Sequence, residues 1–395
     1  MPLLDVILLI GSVQGAFLAA FLFHRHRTLY ATRFLVALLA VYSVVLSHLV
    51  LSDLGAYGAW PRVMILLSGL TLFSGPLHYL YARHLIDPTR RLRRKDVLHA
   101  LPYLAYVLFM LPLLLLPGER IMVELFENAW YGFPWRFMLL NRVLIALAFL
   151  YLGGTLLLLY RYVEHLREHF SSLHRVRLRW LRNITILVLL GWFSFLMENV
   201  LLYTEVISPE YFGVSGLLGT LMVYAMGYLG LTTTGVFSDP EVAASMRELA
   251  EQHADGEGIV RDARPTYGKS GLSEDKAEEI VTELLRLMQS EKPYLDAELT
   301  LHRLAGMLDV SAHNLSEVIN TRTGMNFFDF VNSYRVEQVK RDLLDPGKRQ
   351  FTLLALAFDA GFASKTSFNA IFKKITGHTP SAWRASAAAE HIQSK

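Results

Sequence analysis

A chain of 395 residues has room for two or three domains, and this one is 53% hydrophobic with a positive mean hydropathy, which is high for a soluble fold. It has no cysteine, so disulfides, thiolate zinc sites and iron–sulfur clusters are excluded. The net charge of +3 is small but unevenly spread: residues 238–298 hold 7 Lys/Arg against 15 Asp/Glu, and residues 299–395 hold 12 against 8. An acidic connector therefore leads into a mildly basic end domain, and nearly all of the apolar excess lies before residue 237.

Crossing a bilayer takes about 20 mostly apolar residues. Seven such runs are predicted as helices, at roughly 3–23, 32–52, 62–82, 97–117, 137–160, 183–204 and 212–233. The first is a poor signal peptide, with Asp5 near its start and no basic lead. Basic residues set the expected orientation. Alternate connections carry 15 Lys/Arg (Arg25 to Arg33, Arg83 to Lys95, Arg161 to Arg182), and the opposite set carries only Arg62, Arg120 and Arg136. The first set is thus expected in the cytoplasm, with the N-terminus outside and everything after residue 234 inside. Trp60, Trp130 and Trp135 fall at outer boundaries, where an aromatic belt belongs.

Polar groups inside spans are costly and face a bundle interior or a cavity. His48, Asn141, Arg142, Glu198 and Asn199 all fall in the outer halves of their spans. They read either as a structural Arg142–Glu198 ion pair with polar neighbours or as a signal pocket open to the outside. "HLREH", residues 165–169, fits the H-x-x-E-H pattern of a zinc peptidase helix. The arginines around it disfavour a dication, so the expectation is a solvated helix between spans five and six, with no metal, cofactor or catalytic group.

Beyond the spans, Asp239 and Pro240 read as a helix start, with "PEVAASMRELAEQHA" as the helix. Residues 255–272 mix Gly, Pro and charge and read as a flexible linker. Ser273 then caps a helix with Glu274 and Asp275 in its first turn and Ala277, Val281, Leu284 and Met288 on one apolar face.

The end domain contains an internal repeat. Ser311, Leu315, Ile319 and Gly324 recur 53 positions later as Ser364, Phe368, Phe372 and Gly377. Ala305 recurs 52 positions later as Ala357, so the second unit has a turn one residue longer. Helix, tight turn and helix are made twice, the layout of a helix-turn-helix whose second helix enters the major groove. A long amphipathic helix, "FFDFVNSYRVEQVKRDLL", is predicted between the two units.

The pieces "LHRLAGMLDVSAHNLSEVIN", "NFFDFVNSYRVEQVKRDLL" and "LALAFDAGFASKTSFNAIFKKITGHTPSAWR" together resemble the DNA-binding domain of the AraC/XylS family of bacterial transcription regulators. The resemblance covers residues 299–384. It implies an all-α domain with two recognition helices in successive major grooves and sequence-specific promoter binding. The front end resembles the members of that family in which a multi-span membrane region replaces a soluble sensor. This chain departs from many members at Glu317 and Ala370, where they carry Arg.

The reading is therefore all-α throughout: a seven-span sensor over 1–236, a cytoplasmic linker over 237–272 and a double helix-turn-helix domain over 273–395. Double-stranded DNA is the expected partner of His313, Asn314, Ser316 and Glu317 in the first recognition helix. Lys365, Thr366, Asn369 and Lys373 take that role in the second. Membrane lipid, a second copy on DNA and an unidentified ligand or membrane partner complete the expected partners. The chain is placed in the bacterial inner membrane. The alternative is a seven-span receptor whose cytoplasmic domain binds protein instead of DNA.

Overall fold

The structure is a computed structural model that describes residues 2–26, 30–87, 90–126, 135–173, 178–204, 214–232 and 272–393. The expected helix over 240–253, the linker up to residue 271 and Trp130 lie outside the described residues. Among the described residues the fold is all-α, with a single antiparallel bridge, Phe170 to Thr300, as its only β-type pairing. The chain divides into two compact units. One is drawn from Met1–Tyr160 and Leu178–Ile259, the other from Arg161–Arg177 and Val260–Lys395.

The first unit contains α1 (Leu3–His26), α2 (Tyr30–Asp53), α3 (Pro61–Ser68), α4 (Ser74–Ile86), α5 (Leu101–Leu114), α6 (Gly118–Phe126), most of α7 (Trp135–His169), α8 (Arg179–Tyr203) and α9 (Val214–Thr232). Six helical runs are long and apolar enough to cross a membrane. The third of them joins α3 to α4 through a 3-10 stretch, Gly69–Phe73. The expected seventh run corresponds to α9, which is apolar but shorter over Val214–Tyr228.

Small residues let these helices approach closely, as in membrane bundles. A Cβ on Gly15 would lie 2.4 Å from Ser43 Oγ, and one on Gly11 would lie 2.6 Å from Thr220 Cγ2. Ser12 Oγ donates to Ser43 O at 2.8 Å, tying α1 to α2. The outer faces are apolar instead of polar: Leu108 and Leu150 are each 68% exposed. Apolar faces of that extent suit lipid and not water.

Of the two readings of the polar groups in these helices, the Arg142–Glu198 ion pair is not formed. Glu198 is buried, but its carboxylate accepts from Ser215 N at 2.8 Å and Ser215 Oγ at 2.6 Å. Those donors sit in the first turn of α9, where unpaired amides and the helix dipole favour an anion. The acid is thus already satisfied, and Arg142 is exposed and not bonded to it. Asn141 Nδ2 faces Asn199 Oδ1 at 3.5 Å, an edge-of-range contact. His48 lies elsewhere, with Nδ1 2.8 Å from Tyr57 Oη and Nε2 3.0 Å from Ser68 Oγ. The five residues share no single hydrogen-bonded cluster among the described residues.

The second unit holds α10 (Glu274–Ser290), α11 (Leu301–Met307), α12 (Ala312–Thr323), α13 (Phe327–Leu344), α14 (Leu353–Asp359), α15 (Lys365–Thr376) and α16 (Pro380–Gln393), together with the last two turns of α7. Ser273 caps α10 by accepting from Lys276 N. The buried face of α10 carries Ala277, Ile280, Leu284, Leu287 and Met288, packed with Leu304, Leu315 and Ile319 in one core. A second core joins Ala357, Phe362, Phe368 and Phe372. α13 serves both, with Phe327, Phe330 and Val331 in the first and Val336 and Val339 in the second.

Between these cores lies Arg335, 1% exposed. Its Nε donates to Tyr294 O at 2.7 Å and its Nη2 to Asp296 O at 2.7 Å. Burial lowers its pKa to about 10, so it stays charged at neutral pH. The turn of the second helix-turn-helix presses on the same place. Gly361 has φ +92°, and a Cβ there would lie 2.3 Å from Tyr294 O. Gly361→Ala therefore meets both backbone strain and a clash, together at least about 2–3 kcal/mol. The expected result is markedly faster proteolysis of the second unit in membrane preparations of the full chain. Unchanged protease resistance would show that the turn can shift away.

Candidate nucleic-acid interface

The two helix-turn-helix units are built by the same local chemistry, position by position. Thr300 caps α11 by accepting from Arg303 N, and Thr352, 52 residues on, caps α14 by accepting from Ala355 N. The turn residues Asp309 and Gly361 both have positive φ, +53° and +92°. The next amides fold back, Val310 N to Ala305 O at 3.1 Å and Phe362 N to Ala357 O at 3.0 Å. This is a helix C-terminus closed by a left-handed residue, and it fixes how the second helix leaves the first. Ala305 and Ala357 are 1% and 0% exposed, so only a small side chain fits at each crossing.

Each recognition helix then starts on a serine. Ser311 accepts from Asn314 N and Ser364 from Ser367 N. Each helix ends on a glycine in the left-handed region, Gly324 and Gly377. The likeness continues past that point, since Asn326 caps α13 and Thr379 accepts from Ala382 N three residues ahead of it. Apolar spacing decides which faces are left outside. In α15, Phe368 and Phe372 are buried, and Lys365, Thr366, Asn369 and Lys373 are exposed. In α12, Leu315, Val318 and Ile319 are buried, His313 is exposed, and Asn314, Ser316 and Glu317 are half-buried.

The first recognition helix is the more constrained of the two. Ser316 Oγ and O both receive Asn320 Nδ2, at 3.4 and 3.0 Å. One Glu317 oxygen is buried without a hydrogen-bond partner, so this carboxylate is tucked against the helix instead of reaching outward. Several cations are committed to structure. Lys374 Nζ binds Asp329 at 2.8 Å, tying α15 to α13. Arg322 binds Glu274, tying α12 to α10. Lys348 binds Asp342 at 2.7 Å, and this hydrogen bond raises its pKa. Lys365 and Lys373 are exposed and form no ion pair among the described residues. α15 therefore presents the uncommitted positive charge that phosphate and guanine both attract.

The side chains of "HLREH" do come together. The donor atoms of His165, Glu168 and His169 lie within 4.8 Å of one another on the last turn of α7, all half-buried. His169 Nδ1 lies 3.1 Å from His165 O. The helix is not the solvated connection expected from the sequence: Tyr162, Leu166 and Phe170 are buried and belong to the second unit. Sequence reasoning also missed Arg335 and Asn332, both 1% exposed on the apolar side of α13. Their signal was a polar pair interrupting the stripe of Phe327, Val331 and Val339 at helical spacing.

Neither curated proteins nor solved structures include a match to this chain. One family of domains does match, described as a helix-turn-helix domain and aligned to residues 304–386. That span begins in α11, ends in α16 and contains both units and α13 between them. Residues 304–386 are an AraC-type helix-turn-helix domain, and the chain carries it behind an N-terminal set of apolar helices.

Proposed function

We propose that this protein is a membrane-tethered transcription regulator that couples a signal at or outside the membrane to promoter binding, without chemistry of its own. One observation carries the reading: two recognition helices with exposed polar faces share a chain with six helical runs long and apolar enough to cross a membrane. DNA binding follows from the domain. Tethering is supported by the outward apolar faces of the first unit, and orientation by 15 basic residues in one set of connections against three in the other. The N-terminus is then outside and the helix-turn-helix domain in the cytoplasm of a bacterium, multi-pass in the inner membrane. The division is a sensor over 1–236, a linker over 237–272 and the reader over 273–395.

Two tethered copies side by side would gain effective concentration on a repeated site, so a homodimer on DNA is part of the proposal and release by cleavage is not. In α15, Asn369 can pair with adenine, Lys365 and Lys373 can donate to guanine or phosphate, and Thr366 can touch a thymine methyl. In α12, His313, Asn314, Ser316 and Glu317 are the candidate contacts: His313 and Ser316 stand 53 positions before Thr366 and Asn369, and Glu317 would have to turn out from the helix to accept from cytosine N4. His48, Asn141, Arg142, Glu198 and Asn199 remain the polar positions through which a signal could act on the helices.

The native lack of cysteine makes orientation easy to test. Single cysteines at Gly55 and Gly118 are expected to react with an impermeant thiol reagent on whole cells, and one at Ser172 is not. The reverse pattern would place the DNA reader on the wrong side. For the reading head, Asn369→Ala is expected to cost about 1–3 kcal/mol at one base position and relax preference there. The measurement is binding of the full chain in detergent to single-base variants of a recovered site. Uniform weakening across all variants, with a smaller salt slope, would reassign Asn369 to phosphate.

A further inference from the structure

α7 is 35 residues long, about 52 Å at the helical rise. A hydrocarbon core of about 30 Å needs only some 20 of those residues. The helix continues to His169 and delivers two further residues, Phe170 and Ser171, into the second unit. Ser171 is 1% exposed and its polar atoms are fully engaged there. Its amide donates to Leu299 O at 3.2 Å and its hydroxyl to the same oxygen at 2.6 Å. Arg335 Nη2 donates to Ser171 Oγ at 3.0 Å, and Arg335 Nη1 donates to Ser171 O at 3.1 Å. Asn332 Nδ2 also donates to Ser171 O, at 3.0 Å. One turn earlier, the Arg167 guanidinium stands 5.9 Å from the centre of the Phe328 ring.

The receiving groups are those on which both helix-turn-helix units depend. Leu299 precedes Thr300, the cap of α11, and Phe170 pairs with Thr300 across the antiparallel bridge. Arg335 also holds Tyr294 O and Asp296 O, and its Nε lies 3.0 Å from where a Cβ on Gly361 would stand, in the turn of the second unit. Without Ser171, two donors of a buried cation and one of Asn332 lose acceptors, and a buried charge tolerates such loss poorly.

We propose that Phe170–Ser171 is an internal docking segment, that the groove around Arg335, Asn332 and Leu299 is its receptor, and that movement of α7 reaches the DNA reader through this joint. The proposal rests on the membrane-tethered reading above. It makes α7, and not only the connector after α9, the route from sensor to reader. A rotation or slide of α7 would act on the cap of α11 and on Arg335 together, and so on both recognition helices at once.

Two experiments on the full chain test this. Ser171→Cys and Ser172→Cys are near-isosteric single cysteines, one buried and one half-buried. In native membranes opened to a maleimide, Cys at 171 is expected to label at least about tenfold more slowly than Cys at 172, and equally fast after denaturation. Equal rates in native membranes would overturn the docking. The second experiment inserts one alanine after Tyr160, which turns the end of α7 by about 100° and moves it about 1.5 Å. Recovery of chromatin with the full-length protein is expected to show several-fold altered occupancy at its sites, at unchanged membrane levels. One alanine inserted within 255–272 is expected to leave occupancy as it was. The coupling role is overturned if the α7 insertion has no effect or the linker insertion has the same effect. If the unaltered chain occupies no discrete DNA sites, the tethered-regulator reading fails instead, and the labelling rates still decide the docking.

Discussion

A guanidinium buried in the middle of α13 is the constraint on which the DNA-reading unit depends. Arg335 sits between two apolar cores and is surrounded by acceptors that are mostly backbone carbonyls, with no carboxylate ion-paired to it among the described residues. Taking such a charge out of water costs several kcal/mol unless nearly every donor is bonded. The consequence is positional. Tyr294, Asp296, Ser171 and α13 must all be in place for the charge to be tolerated, so the mutual setting of the two helix-turn-helix units is tightly specified. Gly361 obeys the same constraint from the other side, since only a residue without a side chain leaves the Tyr294 carbonyl where Arg335 needs it.

The duplicated motif was legible because its chemistry is local. A cap, an apolar stripe and a left-handed stop are each fixed by residues a few positions apart, and Ser311 to Gly324 and Ser364 to Gly377 carry all three. The exposed face of α15 followed from Phe368 and Phe372 alone. The apolar runs were legible for a similar reason, as a run of lipid-compatible residues is visible without knowing its neighbours. What stayed hidden depends on pairing across long separations. Glu198 finds Ser215 instead of Arg142 because the start of α9 offers two donors at the right depth, and nothing in the spacing of the acid foretells that. Ser171 meets Arg335 across 164 positions. A serine after a charged helical stretch looks like an ordinary exposed terminus until its partner is known.

The two parts of the chain solve opposite problems with the same element. In the first unit, helices turn apolar side chains outward and keep small residues at their crossings. In the second, apolar side chains turn inward and the outer face is left to Lys365, Asn369 and their neighbours. A helix can serve both surroundings because its backbone is satisfied internally in either. α7 passes from one regime to the other within a single element, and its end is polar-bonded inside the reader and not loose in solvent. That continuity is what the proposed coupling through α7 rests on.

The central claim is that this chain reads DNA while still in the membrane. The most direct measurement is recovery of chromatin with the intact, full-length protein, with membrane fractionation of the same cells. The account predicts discrete, repeated sites bound by full-length protein that remains in the membrane fraction, with no soluble fragment of the end domain accumulating. Discrete sites bound only by a released soluble fragment, or no discrete sites at all, would contradict it.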